Sequence, residues 1–187
     1  MLKVIKQSHD RLEKFWGNIE NSAIIVLSDN PENLSKLGLN ANSILTSTFV
    51  FNGAKSYIAV NIDRVDTDVL SHEMSHAELH ARIYEGRYST SQLVPVWFDE
   101  GLAMQVDYRE KYNEDAWVAL SQTINSQVNL SDIESLSQFF NEDSEIRTNN
   151  YIISRHKVNE WLIEHGHEGL FELIDGIREG IAFEDLY

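Results

Sequence analysis

The chain has no cysteine among its 187 residues. That excludes disulfides and any thiolate-held metal, and it fits a reducing compartment. Basic residues are scarce: 15 Lys and Arg against 30 Asp and Glu, for a net charge of −15 and a pI near 4.7. Such a balance argues against nucleic acid as a partner, because phosphate binding needs clustered Lys and Arg. It weakly favours basic or neutral partners through steering, although a well-solvated acidic surface is the simpler reading. No segment approaches 18 consecutive apolar residues, so no membrane-spanning helix is expected. The first ten residues lack a signal-peptide core. A cytoplasmic monomer is therefore expected, and a mature form freed of its signal would look the same. Repeats, low-complexity linkers and a domain break are also lacking.

What the chain does contain is Ser71-His72-Glu73-Met74-Ser75-His76, a His-Glu-x-x-His pattern. Residues four apart lie on one face of an α-helix. His72 and His76 can therefore offer two imidazole nitrogens to one Zn²⁺, at about 2.0–2.1 Å each. Glu73 falls beside the ion, where a general base for water is needed. With seven histidines and eighteen glutamates in the chain, chance yields the pattern in roughly one sequence in forty. The plain alternative is a surface helix with two satisfied histidines.

Two features weigh against chance. Leu70, Met74, Ala77, Ala81 and Tyr84 recur at helical spacing and form one apolar stripe, with His72, Glu73 and His76 off it. Asp66 or Thr67 can cap this helix, Asp68 suits its positive end, and Gly86 can end it after about 17 residues. The second feature is the segment from Pro95 to Ala103, in which Pro95 suits a first helical turn and Glu100 sits in an otherwise apolar run. A buried carboxylate should be paired or metal-bound. Glu100 falls 24 residues after His76, far enough for a loop and a return helix. Two His and one Glu are a recognised catalytic zinc set, with water in the fourth position.

His72-Glu73-Met74-Ser75-His76 followed by Trp97-Phe98-Asp99-Glu100-Gly101-Leu102-Ala103 resembles the gluzincin metallopeptidases, nearest their small members, the peptidase MA-like proteins and minigluzincins. The likeness covers roughly residues 45–180 and implies a zincin-like fold, a peptide or protein substrate, and Glu100 as third zinc ligand. It also implies a role for Tyr151, which stands three residues before the small Ser154, as a hydroxyl donor to the tetrahedral intermediate. The reaction needs such a donor because charge builds on the former carbonyl oxygen. A packed core tyrosine is the alternative, with Arg155 or His156 as substitute donors. The chain departs from the thermolysin-like pattern at Met104, where an acidic residue orients a zinc-bound histidine; Asp99 or Asp107 could take that part. His80 continues the His72, His76 series another ~6 Å along the helix, and is expected near the site without a metal role.

The order of elements reads as α+β: a small N-terminal mixed sheet with the active-site helix, then a mainly helical part. One compact domain is expected, with residues 1–85 as sheet plus zinc helix and 86–187 as a helical lobe carrying the third ligand. A first helix over 4–19 turns Leu12, Phe15, Trp16 and Ile19 inward. A buried strand spans 22–28, and Asn30-Pro31-Glu32 opens a short helix or turn. Strands at 44–51 and 57–62 flank Asn52-Gly53, a hairpin signal. One of these two should offer its edge to an extended peptide. Helices are expected near 113–125, 132–140, 150–165 and 168–178, with a polar loop over 141–150.

The expected activity is zinc-dependent peptide-bond hydrolysis. An endopeptidase is favoured because no carboxylate stands out to bind a terminal amine. The rival readings are a catalytically silent or latent zinc-binding interaction module and a zinc hydrolase of non-peptide amides or esters. Latency could arise if Ile181 to Tyr187 occupied the cleft.

Overall fold

Fifteen residues from Leu2 to Trp16 form α1, which Gly17 ends with φ 76°. That positive φ suits glycine, and it stops the helix before Ile19, inside the expected 4–19 span. Leu12 and Trp16 are buried as expected, while Phe15 and Ile19 are only partly covered. The computed structural model describes residues 1–36, 46–51, 55–84, 92–123 and 129–187. Within it the chain divides into two compact units, Met1–Thr90 and Ser91–Tyr187. The class is α+β, with strands in the first unit and helices in both.

The first unit holds a three-stranded mixed sheet. Strands β1 (Ile24–Ser28), β2 (Thr46–Phe51) and β3 (Lys55–Asn61) take the order β1-β3-β2. β3 pairs parallel to β1 and antiparallel to β2, with Ile58 opposite both Ile25 and Thr48. Ile58, Ala59 and Val60 are at most 2 % exposed, as a central strand covered on both faces should be. β1 corrects the expectation of a buried strand. It lies at the edge, and Ile24 and Leu27 are about 40 % exposed; an apolar run alone does not distinguish edge from centre. With neighbours on both sides, β3 has no open edge, so of the two strands considered for a peptide only β2 is an outer one. Between β1 and β2 lies α2 (Pro31–Lys36), where Pro31 takes the first position and Asn30 Oδ1 accepts from Glu32 N at 2.8 Å. The Asn52-Gly53 turn, residues 44 and 45 of the expected second strand, and Gly86 lie outside the described residues.

The turn after β3 launches α3 (Thr67–Tyr84). Asn61 accepts from Asp63 N through its side chain, and from Arg64 N and Val65 N through its carbonyl. Asp66 caps the helix, its Oδ1 taking Val69 N at 2.9 Å, a contact worth about 1 kcal/mol. α1 packs on α3, with Leu12 and Trp16 buried, and polar contacts fix the register. Trp16 Nε1 donates to Ser75 Oγ at 3.2 Å, Ser8 Oγ donates to the Thr67 carbonyl, and Arg11 pairs with Asp68.

The second unit is built around a long kinked helix. α4 (Val96–Ala103) starts at Pro95, and the Val96 amide donates to the Glu134 carbonyl at 2.8 Å. α5 (Glu114–Ser121) is capped by Asn113, and α6 (Leu136–Phe139) by a Ser135–Gln138 capping box. α7 (Ser144–Arg178) bends at Gly166, with φ 68° and ψ −174°. That kink separates the two helices expected near 150–165 and 168–178. The expected polar loop over 141–150 is corrected: Asp143 Oδ1 accepts from Glu145 N at 2.7 Å and starts the helix, so residues 144–150 are its first turns. α8 (Phe183–Leu186) returns onto α7.

Candidate metal centre

α3 was expected to present one apolar stripe and one polar face. It is instead covered nearly all round: Val69, Leu70, Ser71, His72, Met74, Ser75, His76, Ala77, Glu78, Leu79, Arg82 and Ile83 are all buried. Of the expected stripe, Ala81 and Tyr84 are only partly covered. Its polar residues therefore need compensation within the protein. One group of them is structural. Glu78, fully buried, accepts from the amides of Glu20 and Asn21, from Asn21 Nδ2 and from Arg82 Nε. Arg82 also donates to the Asn18 carbonyl and lies 5.3 Å from the Trp16 ring. Sequence reading passed over this pair, whose i,i+4 spacing is its only signal.

The other group is the motif. His72 is 6 % exposed and His76 is 9 % exposed. Their rings meet edge to face, with centroids 4.8 Å apart and planes at 82°. The two Nε2 atoms are 3.1 Å apart. Two nitrogens on one tetrahedral zinc at 2.0–2.1 Å would stand about 3.3 Å apart. The same separation suits an N–H···N hydrogen bond between neutral imidazoles. Both arrangements require two nitrogens aimed at one point. Glu73 is half-buried on the next residue, and His80 is half-buried one turn beyond His76, edge-on to Tyr84 at 5.7 Å.

No family model, curated protein or solved structure matches the chain.

In the second unit Glu100 is 6 % exposed, on an α4 whose other residues are buried apart from Asp99. Gly101 explains how α4 reaches α7 so closely. A Cβ there would lie 2.5 Å from Val158 Cγ2 and 2.6 Å from the Ser154 carbonyl oxygen. Met104, the point of departure from the thermolysin-like pattern, is fully buried beside Tyr112 and Ile152. Asp107 is fully buried and takes the Arg109 guanidinium fork, with Nε 2.9 Å from each carboxylate oxygen.

Tyr151 was expected at the start of a helix. It lies instead in the third turn of α7, half-buried, with its ring against Tyr112, Phe139 and Phe140 at 5.3, 5.1 and 6.4 Å. Of the substitute donors, Arg155 Nη1 donates to the Asp107 carbonyl at 2.8 Å. His156 stacks on Trp117 at 3.9 Å and faces Glu114 and Glu160, which marks it as a tie between α5 and α7. The C-terminal segment is seated among aromatics of its own unit: Phe183 lies 4.9 Å from Phe98, and Tyr187 stacks on Trp161 at 5.7 Å. A groove of about 520 Å³ beside Pro95, Glu134, Ile177 and Phe183 contains none of the expected site residues. Among the described residues no helix is long and apolar enough to cross a membrane.

Proposed function

We propose that this protein is a zinc-dependent peptidase of the gluzincin type, acting as an endopeptidase. His72, His76 and Glu100 hold the ion, Glu73 is the general base and Tyr151 donates to the oxyanion. The observation that carries the reading is the 3.1 Å separation of two buried Nε2 atoms, one turn apart, with Glu73 between them in sequence. Two imidazoles and a carboxylate are donors that zinc accepts. A buried carboxylate such as Glu100 suits a cation. A helix lying on a mixed sheet, followed by helices carrying the third ligand, is also what a zincin-like fold asks for.

When bound, zinc supplies Lewis acidity, acidifying water and polarising a carbonyl. Glu73 accepts the proton of the attacking water as the carbon–oxygen bond forms. It returns that proton to the leaving nitrogen as the carbon–nitrogen bond breaks. Tyr151 donates its hydroxyl to the oxygen that gains charge, and the three aromatic rings around it hold its ring in place. β2, the outer strand antiparallel to β3, is the edge to which a peptide would add. A cysteine-free chain suits the cytoplasm as the compartment for this activity.

Metal analysis and a peptide-library cleavage assay on wild type and Glu73→Gln test the proposal. Wild type should bind one zinc and cleave peptides and casein, with chelator blocking cleavage. Glu73→Gln should keep zinc and lose about 10²- to 10⁴-fold in turnover. Equal cleavage by both would sink the mechanism. Tight zinc binding with no cleavage by wild type would favour the silent interaction module.

A further inference from the structure

Arg155 sits four residues after Tyr151 on α7, on the same helix face and about 6 Å further along the axis. Its side chain is half-buried. Among the described residues, its guanidinium hydrogen-bonds from Nη1 to the Asp107 main-chain carbonyl. The carboxylates that act on it are engaged elsewhere: Asp107 by the fork of Arg109, and Glu114 with His156 at 3.5 Å. Burial consequently dominates and lowers its pKa despite their attraction. A guanidinium carries five donors in a planar fork matched to carboxylates. Leaving such a group partly desolvated without a carboxylate is costly. Arg109 shows the contrast, since its fork is filled by Asp107 and it lies over the Tyr112 ring at 5.0 Å. Tyr112 in turn packs on Tyr151, and the Arg155 guanidinium belongs to the next turn of α7.

We propose that Arg155 is a specificity residue that receives a carboxylate of the peptide substrate, from an acidic side chain, as suits an endopeptidase, or from the chain terminus, which would make the enzyme an exopeptidase instead. The inference rests on the peptidase reading and names its substrate class. It is not opposed by the protein's net charge of −15, because recognition here is by one desolvated fork at short range.

The test uses the zinc-loaded full chain and three peptides built on one cleaved sequence. One is neutral and amidated, one is amidated with a single Glu near the cleaved bond, and one is neutral with a free C-terminus. Rates of cleavage and equilibrium binding, by anisotropy of labelled peptides, are read in parallel. Wild type should favour one carboxylate-bearing peptide about 10- to 100-fold over the neutral one, and the preferred arm identifies the carboxylate. Arg155→Gln should bring that ratio close to one, and Arg155→Lys should retain part of it. Wild type that treats all three alike overturns the inference, even if the variants fail to fold. So does an Arg155→Gln protein that keeps the wild-type ratio. A binding preference without any cleavage would instead count against the peptidase reading and leave the carboxylate site standing.

Discussion

Glu78 and Arg82 form an ion pair at 2.8 Å in which the carboxylate is fully buried and the guanidinium is 8 % exposed. The pair binds α3 to the segment between α1 and β1, because both side chains also reach the main chain there, at Glu20 and Asn21 for Glu78 and at Asn18 for Arg82. Removing one partner of a buried pair leaves an uncompensated charge and costs about 3–5 kcal/mol, whereas replacing both by apolar residues is often near neutral. Glu78→Ala and Arg82→Ala should each lower the urea midpoint accordingly. The Glu78→Leu/Arg82→Met double variant should lose less than the sum of the two. A single variant losing under about 1 kcal/mol would remove the pair from the account of why α3 holds its position.

At Gly101 the backbone of α4 comes close to α7. Alanine there would place its Cβ 2.5 Å from Val158 Cγ2 and 2.6 Å from the Ser154 main-chain oxygen, and the latter cannot rotate away. Overpacking of this kind costs about 1–3 kcal/mol. Gly101→Ala should therefore lower the melting temperature and, if the adjacent Glu100 holds zinc as proposed, weaken zinc binding by shifting α4. Thermal melts with and without zinc check both parts. Unchanged melts would mean that the helices separate without cost.

Local signals in the sequence located much of this. Asp66 as a cap, Pro31 and Pro95 at helix starts, and the strand runs each depend on a few neighbouring residues, and each element stands near its expected place. Long-range partners were less legible. β1 looks like a core strand because Ile24 to Leu27 are apolar, yet edge position is decided by which strand pairs with which. Residues 144–150 look like a loop because they are polar, but Asp143 supplies the cap and Asn150 donates to the Phe139 carbonyl from a buried position. Nothing in the sequence sets Glu78 and Arg82 apart from any other i,i+4 pair, since burial leaves no mark at that spacing. The meeting of the two histidines was legible for the opposite reason: residues four apart on one helix fall on the same face.

If the two histidines share a metal, the ion should stabilise the fold by mass action. Free zinc at 100 times its dissociation constant would add about 2.7 kcal/mol. The melting temperature should rise with zinc and fall back with chelator. His72→Ala and His76→Ala should abolish that response. His80→Ala should retain it, since His80 lies a turn away beside Tyr84. An undiminished zinc response in His72→Ala would assign the 3.1 Å contact to an imidazole–imidazole hydrogen bond.

Tyr187 stacks on Trp161 and on Phe183, with interplanar angles of 16° and 19°. Burial raises its pKa, and the charge of Glu160 raises it further. Both causes favour the neutral phenol in the folded state. A folded pKa above the unfolded one gives a contribution that is fully present below the unfolded value, about pH 10 for a free phenol, and lost as pH rises through the folded one. α8 should accordingly loosen from α7 above about pH 10, before the rest of the second unit melts. Tyr187→Phe keeps the ring and removes the ionisation, so its Trp161 environment should stay constant over the same range. Tryptophan fluorescence from pH 8 to 12, with Trp161→Phe as the control for signal origin, measures this. Identical alkaline transitions in wild type and Tyr187→Phe would show that another group loosens the segment.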